Sequence, residues 1–307
     1  MVTKFKELSL LWIKEKQKVI KHSTYCAYFL VIENQLNNYF DLIDDVTEEK
    51  VMNFCLEKFK SGLSKKSVKD IFVVLKMILK FGAKISNVRL EVISMEFPFK
   101  EGKQDIQVFS KQHQKKLTEY LLGNFSFSNL GILIALNTGL RIGEICALQW
   151  KDIDIDNRLL RVTKTLQRVY NKEKRETEII ITSPKTEESK RSIPLSNQLF
   201  KLIKPLIRIL NEDYYIISND VNSIEPRTYR EMYRKVLGKC NIPYLKFHAL
   251  RHTFATRCVE SKGDYKTISS ILGHTSITTT LNLYVHPNND QKKSCIEKML
   301  KFVDINK

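Results

Sequence analysis

The sequence predicts a mainly α-helical protein with a small antiparallel β-sheet, organised as two domains. Apolar residues recur at helical spacing along most of the 307 residues. Between residues 159 and 194 the pattern changes to short stretches of strand-like alternation. Between residues 92 and 105 periodicity stops, and Pro98, Gly102 and mixed charge read as a joint. The predicted boundaries are residues 1–92 for a helical domain, 93–105 for a linker and 106–307 for a second domain ending in a tail helix. A flexible joint would let two basic domains close around a duplex, although a plain spacer has the same composition.

The formal charge of +17 favours a polyanionic partner, held by counterion release. A lysine-rich genome would give the same surplus, so charge by itself does not select nucleic acid. The longest apolar runs, 71–75 and 130–136, are far too short to span a membrane. The first twenty residues carry lysines throughout, which excludes a secretory signal and points to the cytoplasm. The six cysteines form no CxxC pair, so neither a disulfide framework nor a zinc site is expected.

In the first domain, residues 3–83 read as four helices. Phe5, Leu8 and Trp12 mark the first. Ser23 is a plausible N-cap for the second, with Tyr25, Phe29, Ile32 and Leu36 along it. The third begins at Thr47, with Glu48 and Glu49 placed for the helix dipole. Ser64 caps the fourth, whose apolar stripe is Val68, Ile71, Leu75 and Ile78. Lys65, Lys66 and Lys69 could lie along DNA phosphates or form a solvated face.

The second domain opens with a helix from Ser110 and another over 130–137, stopped by Gly139. Arg141 stands at the turn into a helix buried through Ile145 and Leu148. A guanidinium beside helix-start amides suits an anion, and pairing with Glu144 is the plain alternative. Residues 152–156 read as a turn, and 159–165, 178–181 and 191–194 as strands. Lys164, Lys185 and Lys190 all compete as proton donors there, and composition does not choose among them. Residues 197–237 are helical with a break near 219–225, and Arg227, Arg230 and Arg234 project from the last helix as DNA contacts or solvated charges.

The densest chemistry lies in FHALRHTFATRCVESKGDYKTISSILGHTSITTTLNLYVH, residues 247–286. His248 and Arg251 are three apart on a helix and share a face. His248 and His252 have the spacing of a zinc pair, yet an arginine on the ligand face repels a dication, so no metal is expected. His274 follows Gly273 on a turn, and Tyr284 closes the next helix. Taken singly, a helical tyrosine beside Leu281 and Leu283 reads as core.

Four motifs in order change that reading. TGLRIGEICALQW, PKTEESKRSIPL, HALRHTFAT and LGHTSITTTLNLYVHP together resemble the tyrosine recombinase, or phage integrase, family. The wording is most similar to integrases of conjugative transposons and related phages. The resemblance covers the second domain, and the N-terminal helices look like the family's SAM-like core-binding domain. It implies Arg141 as the first-box arginine, Lys185 as the sheet-turn lysine, His248 and Arg251 as the HxxR box, His274 at the His/Trp position and Tyr284 as nucleophile, with Glu144 in support. It further implies cleavage and rejoining of double-stranded DNA through a 3′-phosphotyrosyl link, without metal, ATP or other cofactor. Arg141 and Arg251 would hold the non-bridging oxygens, Lys185 would protonate the leaving 5′-oxygen, His248 would help take the tyrosine proton, and His274 would bond the phosphate.

In the family a tail such as residues 294–303 docks on a neighbouring subunit of a homotetramer, and an excisionase or host accessory factor is a further partner to be considered. Larger members carry an arm-binding domain before the core-binding unit. A helical unit within the first few residues fits the simpler Xer-like layout, or an integrase whose arm domain is missing from this chain. The expected role is integration and excision of a mobile element. The alternatives are a Xer-like resolvase of chromosome or plasmid dimers, a relaxing topoisomerase, and a protein that binds DNA ends without cutting.

Overall fold

The computed structural model describes residues 4–86, 91–99, 106–171, 174–183, 190–284 and 289–303. The chain divides into two compact units, Met1–Gln104 with Val169–Glu178, and Asp105–Arg168 with Ile179–Lys307.

The first unit is built from α1 (Phe5–Gln17), α2 (His22–Val31), α3 (Glu48–Lys60) and α4 (Lys65–Ser86). Thr47 and Ser64 cap α3 and α4, their hydroxyls accepting from Lys50 N–H at 3.2 Å and Ser67 N–H at 3.1 Å. Ser23 is not the cap of α2. The cap position is Lys21, two residues earlier, and the helix passes into a π-helical turn over Ile32–Leu36. The widened turn still sinks both Ile32 and Leu36 into the core. There Phe40 meets Phe5 at 5.6 Å and Phe54 at 5.3 Å between ring centroids.

Residues 94–99 of the expected linker are packed against the first unit. Phe97 lies 5.7 Å from Phe72 and Phe99 lies 5.4 Å from Phe59, ring to ring. Two aromatics outweigh the turn-forming composition around them, because each buries more apolar area than a polar joint can spare. Residues 100–105 lie outside the described residues.

The second unit has its main core around α6 (Phe127–Thr138), with every residue of 130–136 buried. Around it stand α5 (Lys111–Gly123), α7 (Ile142–Ala147), α8 (Asn197–Ile207), α9 (Pro226–Lys239) and α10 (His248–Glu260). The strand region differs from expectation. Residues 153–154, read as part of a turn, form β1 (Ile153–Asp154). The stretch read as one strand over 159–165 ends at Val162 as β2 (Leu159–Val162), and β3 (Thr165–Asn171) begins after a two-residue break. β4 (Glu176–Thr182) pairs with β3, and β5 (Arg191–Pro194) pairs antiparallel with β2, which also pairs antiparallel with β1. Two small sheets thus replace the single one expected, and at the break between β2 and β3 Lys164 is paired with Asp152. The register sets Leu160 opposite Ile193, both buried, and brings Arg191 to the start of β5.

Three more helices complete the unit: α11 (Tyr265–Leu272), α12 (Ile277–Tyr284) and α13 (Asn289–Phe302). α11 is in contact with α10, α12 and β5. Among the described residues, no helix is long and apolar enough to cross a membrane.

Candidate active site

The site is organised by where two helices stop. α6 and α11 both end at a glycine in the left-handed region, Gly139 at φ 67° and Gly273 at φ 64°. The conformation suits glycine, and here space requires it as well. A Cβ on Gly139 would stand 2.7 Å from Leu272 and 2.8 Å from Phe254, and one on Gly273 would stand 3.1 Å from the Arg191 guanidinium. Helix ends carry free carbonyls and the negative end of the helix dipole, so they attract cations.

Three arginines take up that offer along α11. Arg191 Nε donates to Ile271 O at 2.6 Å, Arg251 Nη2 to Leu272 O at 2.8 Å, and Arg141 Nη2 to Gly273 O at 3.3 Å. Three consecutive carbonyls therefore hold three guanidiniums. Arg251 also donates to Gly139 O at 2.9 Å, so it bridges both helix ends while almost wholly buried. Glu144, buried on α7, joins the other two. Its carboxylate accepts from Arg141 Nη1 at 2.9 Å and from Arg191 Nη2 at 2.9 Å, and it also takes the backbone N–H of Arg141 at 2.8 Å.

Burial alone would raise the Glu144 pKa, but the hydrogen bond and charge of Arg191, with Arg141, bring it below the usual range. The carboxylate is thus ionised at neutral pH. Burial, with Arg141 and Arg191 close by, lowers Arg251 to about 9 against the pull of Glu144, and it stays cationic at neutral pH. Among the described residues, one carboxylate faces three guanidiniums, which leaves a surplus of positive charge. Such a cluster suits an oxyanion, above all one whose charge grows during reaction.

Tyr284 closes α12 against Ala255, Ile268 and Leu272, and only 7% of it is exposed. Its hydroxyl does not sit idle in the core. It meets His252 Nδ1 at 2.7 Å. Burial raises the phenol pKa while Arg251 and Arg141 pull it down. His248 packs edge-on against His252, with ring centroids 4.5 Å apart. His274 is set by Thr280, a fully buried hydroxyl 2.8 Å from its Nδ1. That contact leaves Nε2 for a ligand. His248 and His274 are both lowered to about 4, first by burial of their inner faces and then by the surrounding cations, although His248 keeps much of its surface open to solvent. Both imidazoles are therefore neutral at pH 7.

Arg141, His248, Arg251, His274 and Tyr284 thus converge on α10, α11 and α12 with Glu144 behind them. Lys185 lies outside the described residues. Of its competitors, Lys164 is tied to Asp152 at 3.1 Å and to Gln149, and so is committed elsewhere. Reading the sequence missed two groups. Arg191 stands inside PKTEESKRSIPL, but strand alternation says nothing of an arginine that turns inward to a buried carboxylate. The sequence presents His252 only as a possible metal ligand, and its position one helical turn after His248 is the available signal. Outside this cluster, Arg227 and Arg230 are exposed on α9, Lys65 and Lys66 are exposed on α4, and Lys69 is half-buried. Arg234 is paired with Glu231 at 3.9 Å.

Comparison with known proteins places the chain in a family. Residues 101–291 match the phage integrase family. With that match over more than half its length, the chain belongs to the phage integrase family, the tyrosine recombinases. It is 28% identical to a tyrosine recombinase XerC-like protein of Caldanaerobacter subterraneus subsp. tengcongensis, over 95% of this chain and 82% of that one. It is 28% identical to the transposase of transposon Tn916 from Enterococcus faecalis, over 63% of this chain and 51% of that one. The ICEBs1 integrase of Bacillus subtilis is 23% identical over 88% of this chain and 75% of its own length. Among solved structures, the Tn1549 transposon integrase in complex with a circular intermediate DNA has the same fold. Its TM-score is 0.80 at 22% identity, covering 97% of this chain and 100% of that one.

Proposed function

We propose that the chain is a site-specific DNA recombinase that integrates and excises a mobile element. The observation that carries this reading is the trio of arginines on the carbonyls of 271–273, standing beside a buried tyrosine whose hydroxyl is already hydrogen-bonded. Tyr284 attacks the scissile phosphate and forms a 3′-phosphotyrosyl link while the 5′-oxygen departs. Arg141 and Arg251 hold the non-bridging oxygens, whose charge rises at the five-coordinate phosphorus. Glu144, itself held by Arg191, keeps Arg141 in place, and the carbonyls of Gly139 and Leu272 keep Arg251. His274 offers Nε2 to the phosphate, His248 stands at the open side of the group, and Lys185 protonates the leaving oxygen. The bond energy stays in the phosphotyrosyl ester, so a 5′-hydroxyl of another strand reverses the step without ATP.

The first compact unit is the core-binding domain in this reading and the second is the catalytic domain. Lys65 and Lys66 occupy the first turn of α4, which holds no acidic residue. Cations at a helix N-terminus oppose the dipole by some 0.3–1 kcal/mol each. Their presence is better explained by DNA phosphates than by helix stability. Arg227 and Arg230 offer a second set of backbone contacts. The tail helix leaves Ile296, Met299 and Phe302 exposed, Phe302 by 90%. This supports exchange of the tail between subunits of a homotetramer assembled on DNA. Lambda integrase, which shares the fold at a TM-score of 0.64 and 16% identity, has been solved as a tetramer bound to a Holliday junction. The ICEBs1 and Tn916 relatives favour a mobile element over dimer resolution, and the cytoplasm is the compartment where such DNA lies.

The test is covalent capture on a nicked duplex carrying an end of the host element, in the presence of a chelator. Wild type should give a denaturant-resistant protein–DNA complex, and Tyr284→Phe should bind the same DNA and give none. Binding without capture by wild type would favour a protein that occupies DNA ends.

A further inference from the structure

We propose that His252 is a catalytic residue that takes the phenolic proton of Tyr284 as its oxygen attacks phosphorus. This rests on reading Tyr284 as the nucleophile. The family pattern gives the proton to His248, yet the geometry favours the other imidazole. Tyr284 Oη lies 2.7 Å from His252 Nδ1, and among the described residues this is the hydroxyl's hydrogen bond. The two ring centroids are 5.7 Å apart. His248 packs edge to face against His252 and so braces the acceptor. Tyr284 is buried, which limits water as an alternative acceptor at that oxygen.

The protonation state fits as well. Burial and the adjacent Arg251 lower the His252 pKa, keeping the imidazole neutral at pH 7. With the ring proton on Nε2, the Nδ1 lone pair faces the phenol. In the forward step the Tyr284 O–H bond breaks and its proton moves to Nδ1, the Oη–P bond forms, and the P–O5′ bond breaks. The leaving oxygen is protonated from elsewhere in the site. In rejoining, a 5′-hydroxyl gives its proton back to the group that protonated the leaving oxygen and attacks phosphorus, the Oη–P bond breaks, and His252 returns its proton to Tyr284. No outside oxidant or reductant is needed.

The experiment compares His252→Ala, His252→Gln and His248→Ala in single-turnover cleavage. It uses an ordinary duplex and one with a bridging sulfur at the 5′ position, a leaving group that needs no proton. Binding and thermal melting are measured for each protein. His252→Ala and His252→Gln should bind DNA normally and cleave roughly a hundredfold or more slowly on both substrates. Cleavage by His252→Gln near the wild-type rate would mean that the residue only holds the tyrosine. Recovery on the sulfur substrate would assign it to the leaving group. A loss of less than about threefold in His252→Ala would remove it from the chemistry. If His252→Ala melts early, the glutamine variant decides, because it keeps a polar group of similar reach. Covalent capture that persists in Tyr284→Phe would overturn the nucleophile assignment itself, a separate result.

Discussion

Arg251 shows how one residue serves both fold and chemistry. Among the described residues it has no carboxylate of its own, and it relies on Gly139 O and Leu272 O, two helix-end carbonyls. Replacing it by alanine removes a charge from the phosphate and strands both acceptors. Arg251→Ala should therefore lower cleavage by about 10²–10³-fold, the scale of one lost oxyanion donor. It should also destabilise the fold by about 1–3 kcal/mol for each buried acceptor left unpaired. Stopped cleavage assays and denaturant melts measure the two effects separately. Arg191 is the contrasting case, being further from the reacting atoms in role and closer to the fold. Arg191→Met leaves Glu144 with fewer partners and should cost roughly 3–5 kcal/mol, as expected when one side of a buried pair is removed. Adding Glu144→Gln should recover part of that loss. A double variant no more stable than Arg191→Met would show that the pair is not what Arg191 contributes.

At the scale of elements, the ends of α6 and α11 set the arginines, and their glycines let the ends approach. Gly139→Ala places a methyl within 2.7 Å of Leu272 and asks alanine to hold φ 67°. The backbone term alone costs about 1–2 kcal/mol. Melting should fall accordingly, and cleavage should fall with it because Gly139 O positions Arg251. A melt unchanged within error would contradict this view of the junction. The same elements show what the sequence could and could not reveal. Ser110, Thr47, Ser64 and Gly139 act as boundaries because caps and left-handed glycines are local chemistry. Periodicity likewise reaches α6 and α10. The break at Lys164 and the inward turn of Arg191 depend on partners far along the chain, Asp152 and Glu144, and no local pattern reports them. For the candidate site, motif order gathered Arg141, His248, Arg251, His274 and Tyr284. The contact between His252 and Tyr284 spans two helices, and only the fold brings them together.

For the whole molecule, pH and salt are the relevant controls. His248 and His274 have folded pKa values of about 4, below their ordinary 6.5. The unfolded chain therefore binds protons first as pH falls, and stability is lost between about 6.5 and 4. Above that window these two groups add no pH dependence. Melting at pH 7.5, 6, 5 and 4.5 should show the decline, and His274→Asn should flatten it. A phosphate among the arginines opposes the charges that suppress both histidines. DNA binding near pH 5.5 should then take up protons, which calorimetry in buffers of different ionisation heat detects. A formal charge of +17 further predicts that affinity falls steeply with salt through counterion release. Lys66→Ala should make that slope shallower by roughly one unit without changing cleavage once DNA is saturating.

The cluster of arginines directs phosphorus to one tyrosine out of the 12 in the chain. The most direct measurement is to trap the covalent complex on a nicked duplex, digest it with protease and nuclease, and locate the nucleotide-bearing peptide by mass spectrometry. A single modified residue is expected, Tyr284, carrying a 3′-phosphate ester. A nucleotide on Tyr265 or any other tyrosine, or one joined through its 5′-phosphate, would contradict it.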